Sequence, residues 1–175
     1  IKRLLDACLV NQKLHVATCL ALVSGARKEE IWSLKRDQIN WAKKEIRFTK
    51  TKNKVKRTIY LIADSFDLLM DLAKVEGWAS VGNVVYDKPP KFIWPGSEFV
   101  FPSRYSAGKP YSIQLPFNRA VAGAGIKDFH WHDIRSTVCT HLLMAGVPEK
   151  KIMKFCGWKD SKMIARYLQA STDQI

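Results

Sequence analysis

The hydrophobic period of this chain changes twice, and those changes limit its possible folds more than any other feature. Near the start, Leu4, Leu5, Cys8 and Leu9, then Leu14, Ala17, Ala21 and Leu22, recur at helical spacing, predicting helices over 2–10 and 13–23. Ser24-Gly25 ends that run, and a short helix is expected from about Arg27 to Leu34. The period then drops to two. Ile46 and Phe48 alternate with Arg47 and Thr49, and Ile59 and Leu61 alternate with Thr58 and Tyr60, around the polar tip Thr51-Lys52-Asn53-Lys54. This is the pattern of a β-hairpin. Helical spacing returns over 64–76, where Asp64, Asp67 and Asp71 form a solvated face opposite Phe66, Leu69, Met70 and Ala73. Residues 77–111 are rich in proline and glycine and predict a long loop region, with one short extended piece at Phe99-Val100-Phe101. Four further helices are expected at about 112–124, 133–145, 149–156 and 160–169, with Gly146 and Pro148 as punctuation.

At 175 residues the chain reads as one domain. Its net charge of +13 is concentrated: Lys43, Lys44, Arg47, Lys50, Lys52, Lys54, Lys56 and Arg57 face a single acid, Glu45, within fifteen residues. Such a focus is the electrostatic footprint of a phosphate backbone, which makes Lys43, Lys44, Lys52, Lys54 and Lys56 candidate DNA contacts. Cys8, Cys19, Cys139 and Cys156 have no C-x-x-C spacing and sit among apolar neighbours, so buried free thiols in a reducing compartment are expected. No run approaches the roughly 20 apolar residues that cross a bilayer, and no signal peptide opens the chain, so no membrane partner is expected. The first residues, Ile1-Lys2-Arg3-Leu4-Leu5, begin in mid-pattern without a methionine, as in a fragment of something longer.

Four local patterns carry possible chemistry. Arg27, at a helix start, would by itself be a surface residue, but a planar guanidinium can clamp two phosphate oxygens where a lysine cannot. Glu30, one turn on, either orients Arg27 or is a solvated first-turn carboxylate. His132 and Arg135, three residues apart, share a helix face; the arginine offers a second clamp, and the histidine a hydrogen bond or a proton relay. Tyr167 has a phenol that attacks poorly unless arginines stabilise the transition state and help remove its proton. A His130/His132 metal pair lacks a matching third ligand, so no metal is expected. Gly123-Ala124-Gly125 follows a helix rather than a strand and is no dinucleotide fingerprint.

Ser24-Gly25-Ala26-Arg27-Lys28-Glu29-Glu30-Ile31-x-x-Leu34 resembles the T-G-x-R-x-x-E-[LI]-x-x-L box of the tyrosine recombinases, the phage-integrase family. Thr49-Lys50-Thr51 resembles that family's [ST]-K-T hairpin phrase, His132-Asp133-Ile134-Arg135 its H-x-x-R box, and Tyr167, nine residues after Trp158, its nucleophile. Gly157-Trp158 stands where many members have Gly-His and a minority have Trp. An indole donates a hydrogen bond but shuttles no proton, so this position has no acid–base role. The likeness covers about 12–171 and is weakest in 77–111.

The resemblance implies a mostly helical α+β catalytic domain with a small antiparallel β-sheet near 39–61. It implies that Tyr167 attacks a phosphodiester of double-stranded DNA, leaving a 3′-phosphotyrosyl link and a free 5′-hydroxyl, and that another 5′-hydroxyl reverses the bond. Neither metal nor any other cofactor is required, because the ester keeps the energy of the broken bond. Arg27, His132, Arg135 and Trp158 would hold the phosphate, and Lys50 rather than Lys52 would protonate the 5′-oxygen. The two lysines fall on one strand face about 7 Å apart, so alternation does not choose between them. The resemblance further implies a homotetramer on DNA, a preceding core-binding domain, and a cytoplasmic setting in a bacterial or phage-infected cell. The rivals are a type IB topoisomerase, with the same nucleophile, and a non-enzymatic helix-turn-helix DNA-binding module built from 133–168.

Overall fold

The computed structural model describes residues 1–49, 56–75, 97–103, 108–165 and 167. Seven helices and a small sheet follow one another among these. They are α1 (Lys2–Cys8), α2 (Gln12–Ser24), α3 (Lys28–Trp32), β1 (Ile39–Asn40), β2 (Glu45–Phe48), β3 (Arg57–Tyr60), α4 (Ala63–Val75), α5 (Gln114–Gly123), α6 (Trp131–Met144) and α7 (Glu149–Cys156). Lys50, Lys52, Lys54 and the expected hairpin tip lie outside the described residues, as does most of 77–111.

α2 is the central helix, packed against α1, α3, α4 and α6. Leu14, Val16, Ala17, Leu20 and Ala21 are all buried, so apolar side chains surround most of it. The Asn11 side chain accepts from the Leu14 N–H at 3.1 Å and starts the helix, a cap that contributes about 1 kcal/mol. Gly25 ends it in the left-handed conformation, φ 55°. A Cβ at Gly25 would also meet the Phe155 ring at 3.2 Å, so α2 stops where another element passes close by.

The sheet has the order β1-β2-β3, antiparallel throughout, with Ile46 opposite Ile59 and Phe48 opposite Arg57. The hairpin expected from alternation is present. The two-residue β1 is too short for a period to show and was reached only through the family resemblance. α4 buries Phe66, Leu69, Met70, Leu72 and Ala73 and exposes Asp64, Asp67 and Asp71, as the sequence predicts. Phe99, Val100 and Phe101 are buried: Val100 N–H donates to Leu34 at 2.8 Å, and Lys35 bridges Phe99.

Among the described residues the apolar interior divides in two. The larger part joins α1–α6 and the sheet; the smaller gathers Cys139, Ile152, Cys156, Trp158 and Ile164, and Tyr167 packs against it. Phe155 touches both, and fixes the carboxy-terminal segment to the body of the domain. Burying Ile152 and Ile164 contributes about 1.5–3 kcal/mol each. Cys8, Cys139 and Cys156 are buried free thiols as expected, while Cys19 is half-buried. No helix among the described residues is long and apolar enough to cross a membrane.

Candidate active site

The site begins at the turn between α2 and α3. Arg27 occupies the position just before α3, and Glu30 lies one turn inside it. The sequence leaves Glu30 open between orienting Arg27 and a solvated first-turn carboxylate. Its side chain is 4% exposed, and its carboxylate accepts from the Arg27 backbone N–H at 2.9 Å and from Arg27 Nη1 at 3.3 Å. It thus meets Arg27 through both backbone and side chain.

A second arginine shares that carboxylate. Arg57 Nη2 donates to Glu30 Oε2 at 2.6 Å and Arg57 Nη1 to Oε1 at 3.2 Å. Burial pushes the Glu30 carboxyl up, but the hydrogen bonds and charge of Arg57, joined by Arg27, outweigh it and hold the group below the usual carboxylate range. In the sequence Arg57 is one more cation of the basic stretch. In the fold it is buried, because strand alternation puts it on the inward face with Ile59 and Leu61. That same period-two signal, available in the sequence, distinguishes Arg57 from Lys56.

Arg135, on α6, is 2% exposed. Its Nη1 donates to the Gly25 carbonyl and its Nη2 to the Cys156 carbonyl, so it ties the end of α2 to the end of α7. Burial, then the nearby Arg27 and Arg57, lower its pKa; a guanidinium stays protonated all the same. His132, one turn earlier, is exposed. It lines an open cleft of about 450 Å³ with Arg27, Lys28, Gln114, His130 and Trp131. α6 starts at Trp131, two residues earlier than the sequence predicts, because the Asp133 carboxylate caps it by accepting the His130 N–H at 2.6 Å.

α7 ends at Gly157, φ 66°, where a Cβ would stand 3.3 Å from Arg57 Nη1. The left-handed turn sends Trp158 inward, 6% exposed. Its indole has the Arg135 guanidinium 5.1 Å from its ring and the Tyr167 ring stacked at 5.4 Å. Tyr167, Trp158, Arg135 and the Gly25 carbonyl therefore form a continuous series of contacts that ends two residues before Arg27.

Beside this series lies a larger cleft of about 990 Å³, lined by Arg47, Lys56 and Tyr60 of the sheet region and by Lys150, Lys151, Lys154 and Lys159 around α7. Thr49, the residue before Lys50, also lines it. The lysines of α7 were not singled out in the sequence, although they follow one another at helical spacing on a face opposite Ile152 and Cys156. Lys43 and Lys44 fall elsewhere: they occupy the β1–β2 turn, at the end of β2 away from Thr49, and the Lys44 ammonium sits 4.8 Å over the Phe66 ring.

The phage integrase family model matches residues 1–174. The integrase of Salmonella phage P22 is 27% identical over 177 residues, which cover 99% of this chain and 43% of that protein, so the chain spans less than half of that relative. Among solved structures, XerA recombinase is similar with a TM-score of 0.75 at 17% identity, over 95% of this chain and 56% of that one. The Tn1549 transposon integrase, solved in complex with transposon right end DNA, has a TM-score of 0.75 at 18% identity, over 99% of this chain and 63% of that one. At these identities the structural likeness is one of fold.

Proposed function

This chain belongs to the phage integrase family, and on that premise we propose that it cuts and rejoins double-stranded DNA at specific sites through a covalent bond to Tyr167. The phenolic oxygen attacks the scissile phosphorus, and the bond from phosphorus to the 5′-oxygen breaks. A 3′-phosphotyrosyl ester and a 5′-hydroxyl result. Arg27 and Arg135 hold the non-bridging oxygens and stabilise the charge that develops on them. His132, in the cleft beside Arg27, takes up the phenolic proton. Lys50 gives a proton to the departing 5′-oxygen. Attack by the 5′-hydroxyl of a second strand reverses these steps and joins the new partners. Because two duplexes present four strands to one tyrosine per chain, the reading carries a homotetramer on DNA with it.

The observation that supports this reading best is the series from the Tyr167 ring through Trp158 and Arg135 to the Gly25 carbonyl, just ahead of Arg27. It draws a phenol and the turn that bears a second arginine into one contiguous set of contacts. The basic cleft alongside supplies the charge that a DNA backbone requires. A nicked substrate whose 5′-hydroxyl fragment diffuses away tests the reading, because it traps the adduct. The wild-type protein should give a DNA-linked band in denaturing gels, with or without EDTA, and Tyr167→Phe should give none. Binding without any covalent band would support the DNA-binding module instead.

A further inference from the structure

We infer that Arg57 is a positioning residue for the strand-cutting step: it neutralises Glu30, and so keeps Arg27 free to hold the phosphate. The inference rests on the proposed role of Arg27. Four N–H contacts converge on the Glu30 carboxylate: the Arg27 backbone, Arg27 Nη1, and both terminal nitrogens of Arg57. They occupy the roughly four lone-pair positions that a carboxylate offers. Arg57 supplies two of them in the parallel, two-pronged geometry that distinguishes a guanidinium from an ammonium. Both partners are 4% exposed, so water does not satisfy the group in their place.

Arg57 is itself fixed from three sides. Its guanidinium lies 4.8 Å over the Phe48 ring, and its Nη1 and Cδ approach Gly157, where the absent Cβ leaves room for it. Its Nε has no hydrogen-bond partner among the described residues, so its polar contacts there run through the two nitrogens that meet Glu30. The Arg27–Glu30–Arg57 unit carries a net single positive charge. Without Arg57 the charge of Arg27 is cancelled by a buried carboxylate with two acceptor positions vacant. The nearest guanidinium, that of Arg27, then turns inward to fill them, and its contact with the phosphate is lost. Arg57 thus links the hairpin and the Gly157 turn to the clamp from the buried floor of the basic cleft, where only 4% of its side chain is exposed.

The test compares single-turnover cleavage by the full-length protein and its Arg57→Met, Arg57→Lys, Glu30→Gln and Glu30→Gln/Arg57→Met variants, with thermal melting to confirm that each is folded. Arg57→Met should lower the cleavage rate by about 10²-fold, the scale of a displaced catalytic group, while leaving the salt dependence of DNA binding unchanged. Arg57→Lys should recover part of that loss. In the Glu30→Gln background, which has no buried negative charge, removal of Arg57 should cost at least tenfold less than in wild type. A methylphosphonate at the scissile position lacks the charge that Arg27 holds, so the Arg57→Met defect should shrink on that substrate. An equal loss in both Glu30 backgrounds, or an undiminished defect on the methylphosphonate, would overturn the inference. If Arg57→Met does not fold, Arg57→Lys introduced into both the wild-type and the Glu30→Gln backgrounds decides by the same comparison. Loss of the adduct in Tyr167→Phe, together with wild-type cleavage by Arg57→Met, would sink this inference alone and leave the proposed function standing.

Discussion

The phenol ring of Tyr167 lies parallel to the indole of Trp158, with centroids 5.4 Å apart and 8° between the planes. Trp158 also carries the Arg135 guanidinium at 5.1 Å. Where a histidine would act by exchanging a proton, this indole acts as a packing surface shared by the candidate nucleophile and a candidate phosphate clamp. Its position depends on the left-handed turn at Gly157 and on the smaller of the two apolar clusters.

If packing is what Trp158 supplies, ring size matters more than the indole N–H. Trp158→Ala should lower stability by about 3–5 kcal/mol and cleavage by about 10²-fold. Trp158→Phe, which keeps a ring for both contacts, should retain most of each. Thermal denaturation and single-turnover cleavage measure the two effects; equal losses in both variants would instead make the N–H the active part.

The lysine that protonates the leaving oxygen can be identified by changing the leaving group. An alkoxide needs a proton to depart, whereas a thiolate does not. Lys50→Ala should therefore cleave ordinary DNA poorly and recover on DNA with sulfur at the 5′-bridging position. Lys52→Ala should show only a mild binding defect. Rescue of Lys52→Ala rather than Lys50→Ala would move the acid by two residues, and rescue of neither would remove the hairpin lysines from the chemistry.

DNA affinity should fall steeply with salt, and the slope should follow the cleft. Each phosphate contact contributes about 0.9 to the slope of log K against log salt. Replacing Lys56, Lys150, Lys151 and Lys154 by glutamine, all on the wall of the basic cleft, should flatten that slope by up to about 3.6 in total. The same change at Lys43 and Lys44, in the turn at the other end of β2, should flatten it less. Titrations of labelled DNA across a range of salt concentrations check the contrast.

Acid should unmask the Glu30 pair. An unfolded glutamate titrates near about 4.3, and in the fold the carboxyl lies below its usual range. The stability it contributes is therefore fully present above the unfolded value and is lost as pH falls through the folded one. Melting curves of wild type and Glu30→Gln should differ most above about pH 5 and converge as the solution is acidified below that range. A gap that stays constant with pH would mean that Glu30 is not held ionised by Arg57 and Arg27.

The helices were legible because their apolar residues recur at 3.6-residue spacing on faces that the core does bury, as Phe66, Leu69, Met70 and Ala73 show in α4. Boundaries were less so. The start of α6 is set by a carboxylate capping the His130 N–H, a local bond that hydrophobic spacing does not register. The candidate site was legible in kind through motifs: His132 is brought into a cleft with Arg27, and Arg135 is joined to Trp158 and through it to Tyr167. The basic stretch was harder, because eight cations close together in sequence look alike there. The sheet separates them, sending Lys43 and Lys44 to one end, Lys56 to the exposed wall of the cleft and Arg57 to its buried floor. Glu30 remained open for a similar reason: its partner Arg57 is 27 residues away, beyond the reach of any local spacing rule.

The identity of the bond to DNA tests the account most directly. Protein trapped on a nicked substrate, digested with protease and nuclease and examined by mass spectrometry, should yield a peptide in which Tyr167 carries a nucleotide through its 3′-phosphate. A nucleotide joined through a 5′-phosphate, or attached to any residue other than Tyr167, would contradict the account.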